Sequence, residues 1–158
     1  MIRVEIRPFE PENQEKVEEL ILNGLKEHWG YLDESKNPDL KNIAVSYSKA
    51  TFLVAWYEDR IVGTGAFIPH SEAVVEIVRM SVLKELQRQT IGQQILYKLC
   101  QRAYRDGYKK AILETTKTWQ GVIAFYQQFG FQITHYLDGD VYFSLDLPEL
   151  FTKPQSEM

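Results

Sequence analysis

The stretch Glu76-Ile77-Val78-Arg79-Met80-Ser81-Val82, followed after four residues by Gln87-Arg88-Gln89-Thr90-Ile91-Gly92, decides the fold. From Val74 to Val82 the chain is apolar except for Glu76, Arg79 and Ser81; such a run predicts a strand buried on both faces. Downstream, Ile91, Ile95, Leu99 and Ala103 recur at helical spacing until Asp106 and Gly107 signal a stop. A strand, a polar glycine-containing turn and a helix, in that order, offer unpaired backbone N–H groups at the positive end of a helix dipole. That arrangement suits a pyrophosphate. By itself it is also an ordinary strand-to-helix connection.

Toward the N-terminus, Ile2, Val4 and Ile6 alternate with Arg3, Glu5 and Arg7 up to Pro8, the period of a strand with one wet face. Beyond Pro11, Val17, Leu20, Ile21 and Leu25 make the apolar stripe of a helix whose other face carries Glu15, Glu18, Glu19 and Lys26. Residues 28–39 have no clean period and predict a loop before a short second helix. Thr51–Tyr57 and 60–68 are β-rich runs around Glu58 and Asp59, the spacing of a tight hairpin. Toward the C-terminus come a strand at 108–115, a helix at 119–128 stopped by Gly130, and a closing hairpin of 131–135 and 141–147 around 137–140. The order implies an α/β or α+β fold, with helices covering a mixed sheet. With no repeat and no linker, one domain over 1–152 is expected, followed by a loose tail at 153–158.

The 158 residues are 44% hydrophobic and 13% aromatic, enough for one real core. Twenty-two acids against 18 bases leave a net charge of −4, which argues against a nucleic-acid partner. The single cysteine, Cys100, excludes an internal disulfide framework and a multi-thiolate zinc site, and fits a reducing, cytoplasmic compartment. No apolar run approaches the roughly 20 residues of a membrane span, so no membrane role is expected. His28, His70 and His135 are dispersed without ligand spacing, so no metal is expected either. The Asp138-Gly139-Asp140 turn is too short for a calcium loop, and a Gly-x-Ser-x-Gly elbow is missing.

Together the strand, the Gln87–Gly92 turn and Phe125-Tyr126-Gln127-Gln128-Phe129-Gly130-Phe131 resemble the GCN5-related N-acetyltransferases, the GNAT family, over most of the chain. These enzymes move an acyl group from acyl-coenzyme A to an amine. Their cofactor loop reads Arg or Gln, two residues, Gly or a substitute, one residue, then Gly or Ala; Gln87, Thr90 and Gly92 take those places, with Thr90 where glycine is usual. The resemblance implies a mixed, mostly antiparallel sheet of about seven strands flanked by about four helices. It implies acetyl-CoA as co-substrate, held by Met80, Ser81, Val82, Phe125 and the turn Gln87, Arg88, Gln89, Thr90, Ile91, Gly92 and Gln93. Met80 and Val82 would pair with the pantetheine arm, and the Met80 N–H would face the thioester oxygen. Trp119 stands where many relatives carry an asparagine. The resemblance also allows a homodimer.

An alkyl ammonium with a pKa of about 10 is not nucleophilic, so a base must first remove a proton. Glu76 is the candidate, because its apolar strand would raise its pKa if it is unpaired. The competing reading makes it a structural ion-pair partner of Arg79; Glu72 and Glu114 are weaker candidates for the base. Tyr126, flanked by Phe125, Phe129 and Phe131, reads as core on its own, and the resemblance makes it the proton donor to the departing thiolate. Cys100 reads as packing beside Leu96 and Leu99. Trp29, Tyr31, Asp33 and Glu34 suit a cationic amine or are simply a helix connection. The expected activity is direct acetyl transfer to a primary amine, most readily a small molecule. The rivals are a non-catalytic acyl-CoA-binding module and a protein or peptide N-acetyltransferase.

Overall fold

The computed structural model describes residues 2–30 and 34–152. Its contacts divide the chain into two compact units: residues up to Ile68 with Val78–Leu99, and Pro69–Ile77 with the chain from Cys100 onward.

In the first unit, β1 (Glu5–Pro8) pairs antiparallel with β2 (Thr51–Tyr57), and β2 with β3 (Arg60–Pro69). The β2–β3 turn is the two-residue one expected: Glu58 and Asp59 have φ of 49° and 66°, the left-handed pair of a turn matched to strand twist. Strand β1 begins later than the alternation suggests. The Gln94 side chain accepts from Val4 N at 3.1 Å and donates to the Ile2 carbonyl at 2.7 Å, taking backbone groups a longer strand would pair. Helix α1 (Gln14–Trp29) buries Val17, Leu20 and Ile21 against Leu40, Ile43, Phe52, Val54 and Ala66. It includes His28 and Trp29, expected in a loop, and ends at Gly30 with φ 76°. Short turns at Glu34–Lys36 and Pro38–Asn42 lead to the four-residue α2 (Ile43–Ser46).

Strand β4 (Val74–Val82) has the bounds read from the sequence, and it begins in the second unit and ends in the first. Burial on both faces is corrected: only Val75 and Ile77 are fully buried, and the other seven residues are half-buried. After β4 a short turn at Lys84–Leu86 leads to α3 (Ile91–Arg105). Strand β3 meets α3 through glycine. A β-carbon on Gly65 would stand 2.7 Å from both Ile95 Cγ2 and Met80 Sδ, so only glycine admits this approach.

In the second unit, the start of β4 pairs parallel with β5 (Lys110–Thr116), Glu76 opposite Ile112. The strand expected from 108 begins at Lys110, because Tyr108 N and Lys109 N donate to Ala103 and Ala73 carbonyls. Strand β7 (Asp140–Asp146) lies antiparallel between β5 and β6 (Gln132–Leu137). Its hairpin turn is tighter than expected, Asp138 and Gly139 alone, at φ 50° and 87°. Helix α4 (Gln120–Phe129) stops at Gly130, φ 129°. One helix was not expected, α5 (Leu147–Thr152). Asp146 Oδ1 accepts from Glu149 N at 2.9 Å and caps it, with Pro148 in its first turn and Leu147 buried. The strand order is β1-β2-β3-β4-β5-β7-β6: a mixed, mostly antiparallel seven-stranded sheet, with five α-helices among the described residues.

Candidate active site

The predicted cofactor-binding residues other than Phe125 lie in the first unit. Met80, Ser81 and Val82 close β4, all half-buried. Leu83 N then donates to the Val62 carbonyl at 3.0 Å, and the Gln87 amide turns back onto the Val82 carbonyl at 3.3 Å. Gln87 and Arg88 are exposed, and Gln89 and Thr90 half-buried. Thr90 has φ 64°, a conformation rare for a β-branched residue. The backbone there is of the kind glycine supplies without strain, which is why a glycine is usual at this place. The Thr90 hydroxyl donates to the Gln89 carbonyl at 2.5 Å and accepts from Gln94 Nε2 at 3.3 Å. Its carbonyl accepts from Gln94 N at 3.0 Å, so α3 starts at Ile91. Helix geometry then leaves the Ile91, Gly92 and Gln93 amides with no intrahelical acceptor, at the positive end of a fifteen-residue helix.

The predicted base and acid lie in the second unit. Arg79 is not the partner of Glu76. Its guanidinium forks onto Asp39, with Nε to Oδ2 at 3.0 Å and Nη2 to Oδ1 at 2.6 Å, and Nη1 donates to Asn37 Oδ1 at 3.1 Å. This corrects the ion-pair reading. Burial pushes the Glu76 carboxyl above the ordinary glutamate range, the charge of Glu114 pushes it further, and His70 pulls weakly the other way. Glu114 lies on β5, two residues beyond the Ile112 that faces Glu76, so the two carboxylates share one face of the sheet. On that face Glu114 is paired with Tyr142, whose ring stacks on His135 at 4.4 Å.

Tyr126 is buried among Phe125, Phe131 and Phe143, with ring centroids 5.1, 5.8 and 5.8 Å away. Burial raises its phenol well above the ordinary tyrosine value, so it holds its proton at neutral pH. Phe125 is half-buried beside it. Trp119 is the N-cap residue of α4, with no side-chain capping bond. Cys100 is fully buried and its thiol pushed up to about 12, a packing group and not a nucleophile. Glu72 is exposed. Of the suggested amine-recognition residues, Trp29 is half exposed at the end of α1, Tyr31 and Asp33 lie outside the described residues, and so does the Glu34 side chain. No group of three metal-ligating side chains occurs among the described residues, and no helix among them is long and apolar enough to cross a membrane.

Sequence reasoning missed the set of Asp39, Asn37, Tyr47 and Thr64 around Arg79. Tyr47 donates its hydroxyl to Asp39 Oδ2 at 2.6 Å, and Thr64 donates to the Arg79 carbonyl at 2.8 Å. The available signal was a lone arginine in an apolar strand, which requires a partner somewhere.

The model of the acetyltransferase (GNAT) family matches residues 14–131, most of the chain. The chain belongs to the GNAT acetyltransferase family. Human N-acetyltransferase 8B is 27% identical to this GNAT chain over 112 residues, covering 66% of it and 49% of the human protein. Uncharacterized N-acetyltransferase YjgM of Escherichia coli K12 is 28% identical over 108 residues, covering 65% of each. The chain thus spans about half to two thirds of the length of these relatives. Among solved structures, PaiA N-acetyltransferase from Thermoplasma acidophilum in complex with coenzyme A superposes with a TM-score of 0.81 at 20% identity, covering 92% of this chain and 99% of that one. A GNAT acetyltransferase from Elizabethkingia anophelis with acetyl-CoA bound gives 0.69 at 20% identity, covering 92% and 99%. At such identities the likeness is one of fold.

Proposed function

We propose that this GNAT domain transfers the acetyl group of acetyl-CoA to a primary amine by direct attack in a ternary complex. The observation that carries the reading is the start of α3: a left-handed Thr90 opening a helix whose first amides have no intrahelical acceptor, at the family's cofactor-loop position. The Ile91, Gly92 and Gln93 amides would hold the pyrophosphate, with exposed Gln87 and Arg88 beside it and Gln89 and Thr90 shaping the turn. Met80, Ser81, Val82 and Phe125 would hold the pantetheine end. Acetyl-CoA supplies an acyl group already activated toward nitrogen.

The residues of the chain would supply the proton transfers and the charge compensation. Glu76 takes a proton from the ammonium and so frees the nitrogen lone pair that forms the N–C bond, and its raised pKa brings it nearer to that task. The Met80 N–H would meet the charge developing on the thioester oxygen. As the C–S bond breaks, Tyr126 would return a proton to sulfur. The Glu76 and Glu114 face favours a cationic amine.

The test combines calorimetry with coenzyme A and thiol release from acetyl-CoA over a panel of polyamines, amino sugars, amino acids and basic peptides. Binding with release by small amines is expected. Release only by peptides assigns a protein substrate, and binding without release assigns a non-catalytic module. In Gly92→Glu, bulk and negative charge would meet the pyrophosphate. A folded variant that binds coenzyme A as tightly as wild type removes the turn from the site.

A further inference from the structure

Arg79 is unusual in both backbone and side chain. Its φ of 55° puts a residue with a long side chain in the left-handed region inside β4, a conformation that persists only where the surroundings over-determine it. Here they do, from two directions. The fully buried Thr64 donates to the Arg79 carbonyl at 2.8 Å. The guanidinium is forked onto Asp39 and bonded to Asn37, and Asp39 is held in turn by Tyr47.

The effect on the strand is visible in its neighbours. Val78 packs against the core cluster that contains Leu40, and Arg79 binds Asp39, the residue before Leu40. The cluster includes Val17, Leu20 and Ile21 of α1, and Ser81 lies against Gly24 of the same helix, so Val78 and Ser81, three residues apart, meet one side where a regular strand would send them to opposite faces. Beyond this bulge the alternation resumes: Met80 lies against Gly65 and Ser81 against Gly24. The direction of every later β4 amide, Met80 first, is set at Arg79. The pair is half-buried, and apolar residues of similar volume often serve stability as well as a desolvated ion pair does. Only arginine offers the planar fork that fits a carboxylate bidentately.

We propose that Arg79 is a positioning residue for acyl transfer: its fork onto Asp39 and Asn37 holds the left-handed turn that aims the Met80 amide. This role rests on the acetyltransferase reading above and deepens it.

The test is a pair of variants in the full chain, Arg79→Ala and Arg79→Gly, assayed with acetyl-CoA and the best acceptor from the amine panel. Both lose the fork, but only glycine adopts φ 55° without strain. The expected result is a kcat reduced about tenfold or more in Arg79→Ala and substantially restored in Arg79→Gly, with KM for acetyl-CoA changed less than about twofold in both. Thr64→Val, which keeps shape but releases the Arg79 carbonyl, is expected to lower kcat in the same KM-neutral way and stands in if an Arg79 variant does not fold. Equal kcat in the Ala and Gly variants, or a Thr64→Val variant with wild-type kcat, overturns the positioning role. A wild-type protein that binds coenzyme A but acetylates no acceptor overturns the acetyltransferase reading and this role with it. That outcome is distinct from an active enzyme whose variants are equally slow.

Discussion

The two halves of β4 do opposite kinds of work. From Val74 to Ile77 the strand is regular, with Val75 and Ile77 buried, Val74 and Glu76 half-buried, and an in-step parallel pairing with β5. What distinguishes it is a side chain, the Glu76 carboxyl raised by burial and by Glu114. From Val78 to Val82 the alternation is broken at a left-handed arginine, and the side chains there fix the path of the backbone. Substitutions in the first half should therefore change pH dependence, and substitutions in the second should change geometry at constant pH dependence.

The largest expected effect is in the first half. Glu76→Gln keeps the shape of the side chain but cannot accept a proton, so turnover at neutral pH should fall on the order of 100- to 10,000-fold, with coenzyme A affinity nearly unchanged. The acidic limb of the pH–rate profile should vanish in this variant and survive in Arg79→Ala. If limb and height both persist in Glu76→Gln, the base lies elsewhere and the two halves do not differ in this way.

Elements governed by local chemistry were legible from the sequence. The bounds of β4, the Glu58–Asp59 turn and the run of α3 all follow from periodicity and turn residues. Helix α5 was not expected, although Asp146 three residues before Glu149, with Pro148 between, is a cap-and-start signature. What could not be read was decided at long range. Nothing in Val78-Arg79-Met80 favours a left-handed residue, since it contains no glycine, asparagine or aspartate. The bulge is imposed by Asp39, forty residues upstream, and by Thr64 on the neighbouring strand. For the same reason the nearby Glu76 was a plausible partner for Arg79 until Asp39 took the fork. Burial offers no shortcut: it would by itself raise the Asp39 carboxyl, but the hydrogen bonds from Arg79 and Tyr47 outweigh it and hold the group below the ordinary aspartate range. The same burial and the Asp39 bond push the Tyr47 phenol up to about 12.

A smaller effect isolates the electrostatics of the first half. Glu114 adds to the rise in the Glu76 carboxyl, so Glu114→Gln should move the acidic limb of the rate profile to lower pH, by less than about one unit. The sign carries over to stability. Because folding raises the Glu76 pKa, the native state binds that proton more tightly than the unfolded chain does. The Glu76 contribution to stability is therefore greatest below the ordinary glutamate value and is lost as pH rises through the folded value. Glu76→Gln should thus gain stability relative to wild type above that window, and denaturant titrations at two pH values would show it. An acidic limb that stays put or moves toward alkaline pH in Glu114→Gln would mean that the two carboxylates do not interact.

The smallest effect concerns Thr90, the other left-handed non-glycine residue of the first unit outside a hairpin turn among the described residues, and shows whether Arg79 is special. Arg79 is held by a half-buried fork and a buried hydroxyl, whereas Thr90 has only its hydroxyl, bonded to the adjacent Gln89 carbonyl and at 3.3 Å to Gln94. Relief of left-handed strain is worth roughly 1–2 kcal/mol. The added freedom of glycine in the unfolded chain takes back about 0.4–1 kcal/mol. Thr90→Gly should therefore be neutral to slightly more stable than wild type, and for a domain of this size about 1 kcal/mol corresponds to roughly 2–4 °C in melting temperature. Thr90→Ala keeps the demand for positive φ and loses the hydroxyl, so it should melt below both. At Arg79 the stability order differs, because glycine and alanine both lose the Asp39 fork there and both should melt well below wild type. Melting curves for the four single variants test this, and Thr90→Ala equal to or above Thr90→Gly would show that Thr90 carries no strain in solution.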